Sequence, residues 1–261
     1  METTSTKKVY FFSDAHLGIP DHASSLQRER LMVEFLESIR KDALEIYLMG
    51  DLFDFWFEYK TAIPKGYARL LGKLAEITDA GIPIFFFRGN HDIWAFDYLQ
   101  KELNIQIERK PMIKEILGKR FYLAHGDGLG QGDYGYKFLK KVFECKINQW
   151  LFRWIHPDIG IRAGLFFSRR SRYANDIYDQ KTNYKNRKNA LMETRLPKYA
   201  KEVLATGEKI DYFVMGHYHR KDMLDLGNNA KFVFLGDWIS LFSYGVFDGT
   251  TFELKSFQSA N

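Results

Sequence analysis

Cysteine is nearly absent: Cys145 is the only one in the chain. No internal disulfide can form and no thiolate zinc site can be built, so a reducing compartment is expected. Long apolar runs are missing too. The best candidate for a membrane span, residues 147–167, is broken by Arg153, Pro157, Asp158 and Arg162. That excludes a spanning helix, which needs about 20 apolar residues in a row. The N-terminus, Met-Glu-Thr-Thr-Ser-Thr-Lys-Lys, is polar and leads straight into an apolar stretch, so no secretory leader is expected. Neither internal repeats nor low-complexity tracts are seen. Aromatic residues, by contrast, are plentiful, with 23 Phe, 15 Tyr and 5 Trp making 16% of 261 residues. Such side chains fill cores and also line apolar ligand pockets, so composition alone does not choose between the two.

The formal net charge of +5 is unevenly spread. Residues 137–188 carry thirteen Lys and Arg against only Glu144, Asp158, Asp176 and Asp179, which leaves the rest of the chain net acidic. An anionic partner is expected at this basic stretch.

Short runs rich in β-branched and aromatic residues recur at 8–13, 44–49, 82–88, 120–124, 211–215 and 231–235. They are mostly apolar rather than alternating, as strands covered on both faces are. Helical patterns at 25–40, 66–80 and 94–103 have lengths suited to strand crossovers. Residues 243–257, with Asp248-Gly249 as a two-residue turn, predict a β-hairpin. Residues 130–190 break this rhythm, being helical, basic and studded with Tyr134, Tyr136, Phe138, Phe143, Trp150, Phe152, Trp154, Phe166 and Phe167. The expected fold is α/β: two packed sheets flanked by helices, made of residues 1–129 and 191–261, with 130–190 inserted as a helical cap.

The histidines are the informative residues. Five of the seven, His16, His91, His125, His217 and His219, fall at or just past the C-terminal end of a predicted strand. Each has Asp, Asn, Gly or another His beside it. Singly, every cluster has an ordinary explanation: Asp14-Ala-His16 as a helix cap, Gly89-Asn90-His91-Asp92 as a turn. Together they mark the sheet edge at which open α/β folds bind ligands. The candidate donors are the carboxylates of Asp14 and Asp51, the imidazoles of His16, His125, His217 and His219, and the amide oxygen of Asn90. Mixed oxygen and nitrogen donors without sulfur suit Mn, Fe, Co or Zn. Seven donors exceed one closed site, and two neighbouring ions sharing a carboxylate account for the number.

The blocks DAH, GDLFDFW, GNHD, HGD and GHYH, in this order across residues 14–219, resemble the signature of calcineurin-like metallophosphoesterases. The resemblance implies that Asp14, His16, Asp51 and His219 hold one divalent ion. Asp51 would bridge to a second, completed by Asn90, His125 and His217. His91, paired with Asp92, matches the position that contacts the phosphate and protonates the leaving oxygen, with Asn90 stabilising developing charge and Asn90 and His217 also reaching substrate. Further features, namely HGDGLG followed by Asp133-Tyr-Gly-Tyr136, and LGDW near the C-terminus, resemble the UDP-2,3-diacylglucosamine diphosphatases of lipid A synthesis. These release UMP and a diacylated sugar phosphate. Asp133 and Tyr136 match positions that contact substrate. One departure is plain: the best-studied branch has Arg where this chain has His91, which bears on the substrate and leaves the metal ligands intact.

The resemblance implies Mn2+ as the first choice of metal, with Fe, Co or Zn as alternatives. It also implies a cytoplasmic enzyme, peripheral on the inner membrane. The 130–190 segment fits a nucleoside-diphosphate-linked glycolipid on separate grounds. Its aromatics offer a greasy groove, and Arg169, Arg170 and Arg172 offer cations for phosphates. The same composition suits an anionic membrane surface. Three alternatives remain at this level. The helices could simply pack their aromatics on the core. The enzyme could be a phosphodiesterase or nuclease of the same superfamily, although single-strand binding is disfavoured because the cations lie in one insertion instead of along a groove. Or the fold could be a non-catalytic binding module, against which the full donor set stands. The sequence gives no oligomeric state.

Overall fold

The computed structural model describes residues 7–182 and 191–258 and, for 171–182, the helical backbone without the side chains. Two mixed sheets pack face to face. The first has the order β11 (Phe252–Ser256), β10 (Ser243–Phe247), β1 (Lys8–Phe12), β2 (Ala43–Leu48), β3 (Ile84–Phe87), β4 (Gln106–Glu108). The second runs β5 (Met112–Ile116), β6 (Lys119–Ala124), β7 (Tyr212–Met215), β9 (Ala230–Leu235), β8 (Lys221–Gly227). Strands β1 to β4 pair in parallel, as do β6, β7 and β9, whereas β10, β11, β5 and β8 are joined antiparallel.

The alternation of side chains along a strand divides each run between two cores. From β1, Val9 and Phe11 enter the layer between the sheets, where they meet Tyr47, Phe85, Phe121, Val214 and Val233. Tyr10 and Phe12 point the other way, onto α1 (His22–Ile39) and α2 (Ala68–Asp79), against Phe35, Leu36 and Leu74. Helix α7 (Arg195–Ala205) covers the far face of the second sheet through Leu196 and Ala200. The result is four layers, helix–sheet–sheet–helix, with the central strands of both sheets buried on both faces.

Local chemistry places the helices. Asp21 caps α1 by accepting from Ser24 N at 2.9 Å. Buried Glu29 reaches from α1 to the start of α2, accepting from Arg69 N and Leu70 N at 2.8 and 3.1 Å, where free N–H groups and the helix dipole favour an anion. Helix α3 (Tyr98–Leu103) follows β3, and α4 (Tyr134–Glu144), α5 (Lys146–Arg153) and α6 (Pro157–Thr182) follow β6. Among the described residues no helix is long and apolar enough to cross a membrane.

Three outer strands, β4, β5 and β8, and helix α7 were not among the expected elements. The C-terminal hairpin also differs: Phe247 pairs with Phe252, leaving a four-residue connection, 248–251, in place of a two-residue turn. Asp248 closes it by accepting from Thr250 N and Thr251 N at 2.8 and 2.7 Å, an Asx turn that competes with the shorter hairpin.

Candidate metal centre

All seven candidate donors follow the C-terminal ends of parallel strands: Asp14 and His16 after β1, Asp51 after β2, Asn90 after β3, His125 after β6, His217 and His219 after β7. The topology brings these ends to one edge shared by the two sheets. Five donors hold a left-handed backbone, with φ of 56° at Asp14, 42° at His16, 52° at Asp51, 69° at His217 and 50° at His219. Non-glycine residues rarely adopt it, and such strain gathers at functional sites.

The side chains converge. Nε2 of His16 and Nε2 of His219 lie 3.2 Å apart, and Asp14 Oδ1 is 3.7 Å from the first and 3.4 Å from the second. Asp51 Oδ2 lies 3.7 Å from His16 Nε2 and 3.3 Å from His125 Nε2. His125 Nε2 is 3.4 Å from Asn90 Oδ1. Asp51 joins His125 and His217 in one cluster of convergent donors, and His16 and His91 in another. The carboxylate of Asp51 is therefore shared, and its two oxygens have separate tasks. Oδ1 accepts from His91 N at 2.9 Å, and Oδ2 faces the imidazoles.

Polar groups behind the donors aim them. Asp14 Oδ2 accepts from Ser13 Oγ and from His217 N, whereas Asp14 Oδ1, fully buried, has no hydrogen-bond partner among the described residues. His125 Nδ1 donates to Met49 O at 2.8 Å, which turns Nε2 toward the cluster. Arg28, on α1, donates to the carbonyls of His16 and Ile19 and holds the first ligand loop. After β9, Asp237 accepts from Ile239 N and Ser240 N at 2.8 and 2.7 Å, and Trp238 N donates to Asp14 O at 3.1 Å. The blocks also interlock through glycine. A side chain at Gly89 would strike the Asp51 carboxylate, and one at Gly216 would strike Asp14 Oδ2.

The electrostatics match a cation site. Burial works against charge on Asp51, but the imidazoles of His125, His91 and His16 hold it well below the usual carboxylate range. Burial likewise opposes a proton on His125, yet Asp51 raises it well above the ordinary histidine value. For His217, burial and then the neighbouring His125 push the ring down to about 3. Burial pushes the Asp14 carboxyl up. A buried carboxylate oxygen set among convergent imidazole nitrogens is an unmet acceptor that a cation would satisfy. Divalent cations fit this donor set.

Residues 7–221 match the calcineurin-like phosphoesterase family. The chain belongs to that family. Among similar proteins, a UDP-2,3-diacylglucosamine hydrolase of Porphyromonas gingivalis is 37% identical over 96% of this chain and 98% of its own length. Namesakes from Histophilus somni and Aeromonas salmonicida are 25% and 29% identical, covering 89% and 87% of this chain and 92% and 85% of their own.

Within this calcineurin-like phosphoesterase, the remaining predicted residues divide. His91 adjoins the cluster, its ring 4.6 Å from that of His16. Its expected partner, Asp92, is turned away. Asp92 Oδ1 accepts from Gly89 N at 2.7 Å and Asp51 N at 3.4 Å, and Oδ2 accepts from Leu52 N at 2.8 Å and Phe53 N at 3.5 Å. It is a fully buried clamp between two loops of candidate donors, and burial and the Asp51 charge push it up to about 7. The carboxylate beside His91 is Asp54, whose Oδ1 lies 3.7 Å from His91 Nδ1 and 3.5 Å from His16 Nδ1. Asp54 could have been found in the sequence as the second acid of the GDLFD loop. Ser168, which bonds to both Asp54 and His91 at 2.8 and 2.9 Å, carries no such signal, because only folding brings α6 there.

The α4–α6 segment is anchored to the phosphoesterase core. Asp127 accepts from Tyr136 Oη at 2.6 Å and from Lys140 Nζ at 2.7 Å. Asp133 pairs with Arg195 at 2.6 Å. Phe143, Phe152, Ile161 and Leu165 pack on buried Phe55, Phe57, Ile93 and Trp94. The other aromatics stay outside: Tyr134, Phe138, Trp150, Trp154, Phe166 and Phe167 are between 55% and 77% exposed. Arg169 and Arg170 are exposed on α6, and the side chain of Arg172 lies outside the described residues.

Proposed function

We propose that this phosphoesterase cleaves the pyrophosphate of UDP-2,3-diacylglucosamine, releasing UMP and 2,3-diacylglucosamine 1-phosphate. The observation that carries the reading is the shared carboxylate, Asp51 Oδ2 lying between His16 and His125. Asp14, His16, Asp51 and His219 would hold one divalent cation, and Asp51, Asn90, His125 and His217 the other, with Mn2+ the favoured metal. When bound, such a pair supplies Lewis-acid activation of water and neutralises charge at phosphorus.

The chain's own groups orient the substrate. His91 keeps Nδ1 against acceptors and leaves Nε2 to the phosphate, where an Nε2–H would donate to the departing oxygen. Asn90 supports charge on the phosphoryl oxygens. Asp92 acts by holding the loops of Asp51 and Asn90 together. Residues 130–190 serve as a cap on the core formed by 1–129 and 191–261. Their exposed aromatics receive acyl chains, while Asp133, Tyr136, Arg169, Arg170 and Arg172 meet polar groups of the glycolipid.

An exposed apolar surface of this kind beside cations favours work at the cytoplasmic face of an anionic membrane, where a lipid substrate is collected. The relatives' common name and the exposed aromatics of α4 to α6 point to the same substrate. The test is mass spectrometry of products after incubation with UDP-2,3-diacylglucosamine and Mn2+, with and without chelator. UMP and the sugar 1-phosphate are expected, and chelation should abolish both. Cleavage of single-stranded nucleic acid in place of the glycolipid would overturn the substrate.

A further inference from the structure

We infer that Ser168 is a positioning residue for His91, carried into the site by a close-packing strip on α6; this rests on the reading of His91 as a phosphate-facing group. Two independent observations support it.

The first is the hydrogen bonding. A carboxylate oxygen only accepts, so Ser168 Oγ gives its hydrogen to Asp54 Oδ2 at 2.8 Å. The serine oxygen then offers a lone pair to His91 Nδ1, 2.9 Å away. The other neighbour of Nδ1 is the carbonyl oxygen of Asp54 at 3.0 Å, which also only accepts. Both contacts require hydrogen on Nδ1. They fix the tautomer and the ring plane, and they point Nε2 at the cluster.

The second is how α6 is held. Gly160, Gly164 and Ser168 are spaced by four and share one face of the helix. A β-carbon at Gly160 would strike Tyr59 Oη, and one at Gly164 would strike the ring of Phe55. The helix therefore lies against the loop of residues 54–59 with no side chain between. Tyr59 meets Gly160, Phe55 meets Gly164 and Asp54 meets Ser168, in antiparallel order. Only this close approach lets a side chain as short as serine reach His91. The segment thus contributes a side chain to the site.

The test uses the full chain with Mn2+ and UDP-2,3-diacylglucosamine. Ser168→Ala should lower kcat about tenfold, the equivalent of one hydrogen bond, with KM unchanged. Ser168→Thr, which keeps the hydroxyl, should restore most of the rate. In a His91→Ala background, Ser168→Ala should have no further effect. An equal loss in both backgrounds, or a change confined to KM, would show a merely structural role and overturn the inference.

A second measurement does not depend on activity. In metal-free protein, imidazole 15N NMR should show His91 protonated at Nδ1, with resonances that broaden in Ser168→Ala; an Nε2-protonated ring in the unsubstituted protein would also overturn it. Matched thermal unfolding establishes that each variant folds. If the unsubstituted enzyme releases no UMP, the substrate reading fails while the NMR result still decides the role of Ser168.

Discussion

Oδ2 of Asp51, at the end of β2, lies 3.3 Å from Nε2 of His125, at the end of β6 in the opposite sheet. A single carboxylate so placed ties the two sheets at the site, and its replacement should disturb both halves of the centre. Asp51→Asn is expected to lower kcat/KM by about 10²-fold or more, beyond the scale of losing a supporting group. Bound metal, measured by elemental analysis, should fall below two ions per chain. Full occupancy with normal rates would contradict the shared-ligand geometry.

Asp92 presents only acceptor oxygens to a ring of backbone N–H donors. In Asp92→Asn an amide nitrogen must face some of them. The expected cost is about 1–3 kcal/mol, from buried donors left unpaired. Urea unfolding measures it.

Two glycines make an opposed pair. At Gly164 an added methyl meets the Phe55 ring, so Gly164→Ala should destabilise by about 1–3 kcal/mol through overpacking. At Gly72, within α2, an added methyl meets nothing within 4 Å. Gly72→Ala should therefore stabilise by up to about 1 kcal/mol through helix propensity. Thermal unfolding of both variants checks the signs.

Burial and His125 hold His217 near 3 in the folded chain, well below its value when unfolded. Between those values the unfolded chain binds a proton that the folded chain does not. This contribution to stability is whole above about pH 6.5 and is lost as pH falls toward 3. Metal-free protein should therefore lose stability on acidification through this window, and His217→Asn should show a shallower decline in pH-dependent unfolding.

Phe166 and Phe167 are 60% and 66% exposed, so truncating them removes little packing. Phe166→Ala with Phe167→Ala should leave the unfolding midpoint nearly unchanged and raise KM for the long-chain glycolipid. A substrate with short acyl chains should respond much less. Equal effects on both substrates would remove these rings from lipid recognition.

The buried strands could be read from the chain because each is a continuous apolar run, as in Ile84–Phe87, where every residue is buried. The outer strands could not. β5 alternates intermediate and exposed residues before one buried position, and β8 is similarly polar. Helix α7 was obscured by Pro197, which is tolerated there because it lies in the first turn, where no intrahelical N–H is needed. At the site, the histidine positions after strand ends pointed to the cluster. The partner of His91 did not follow from adjacency, since neighbouring residues in a turn point apart and Asp54 arrives from another loop. Nothing in the order of residues gives the reach of Ser168.

The left-handed backbone at Asp14, His16, Asp51, His217 and His219 has a consequence for how the centre would fill. These uncommon conformations are held by backbone hydrogen bonds between the loops, such as Asp14 N to Gly50 O at 3.0 Å and His16 N to Asp51 O at 2.9 Å. A substitution that lets one of these turns relax would therefore move the donor itself, and with it any cation the donors would hold.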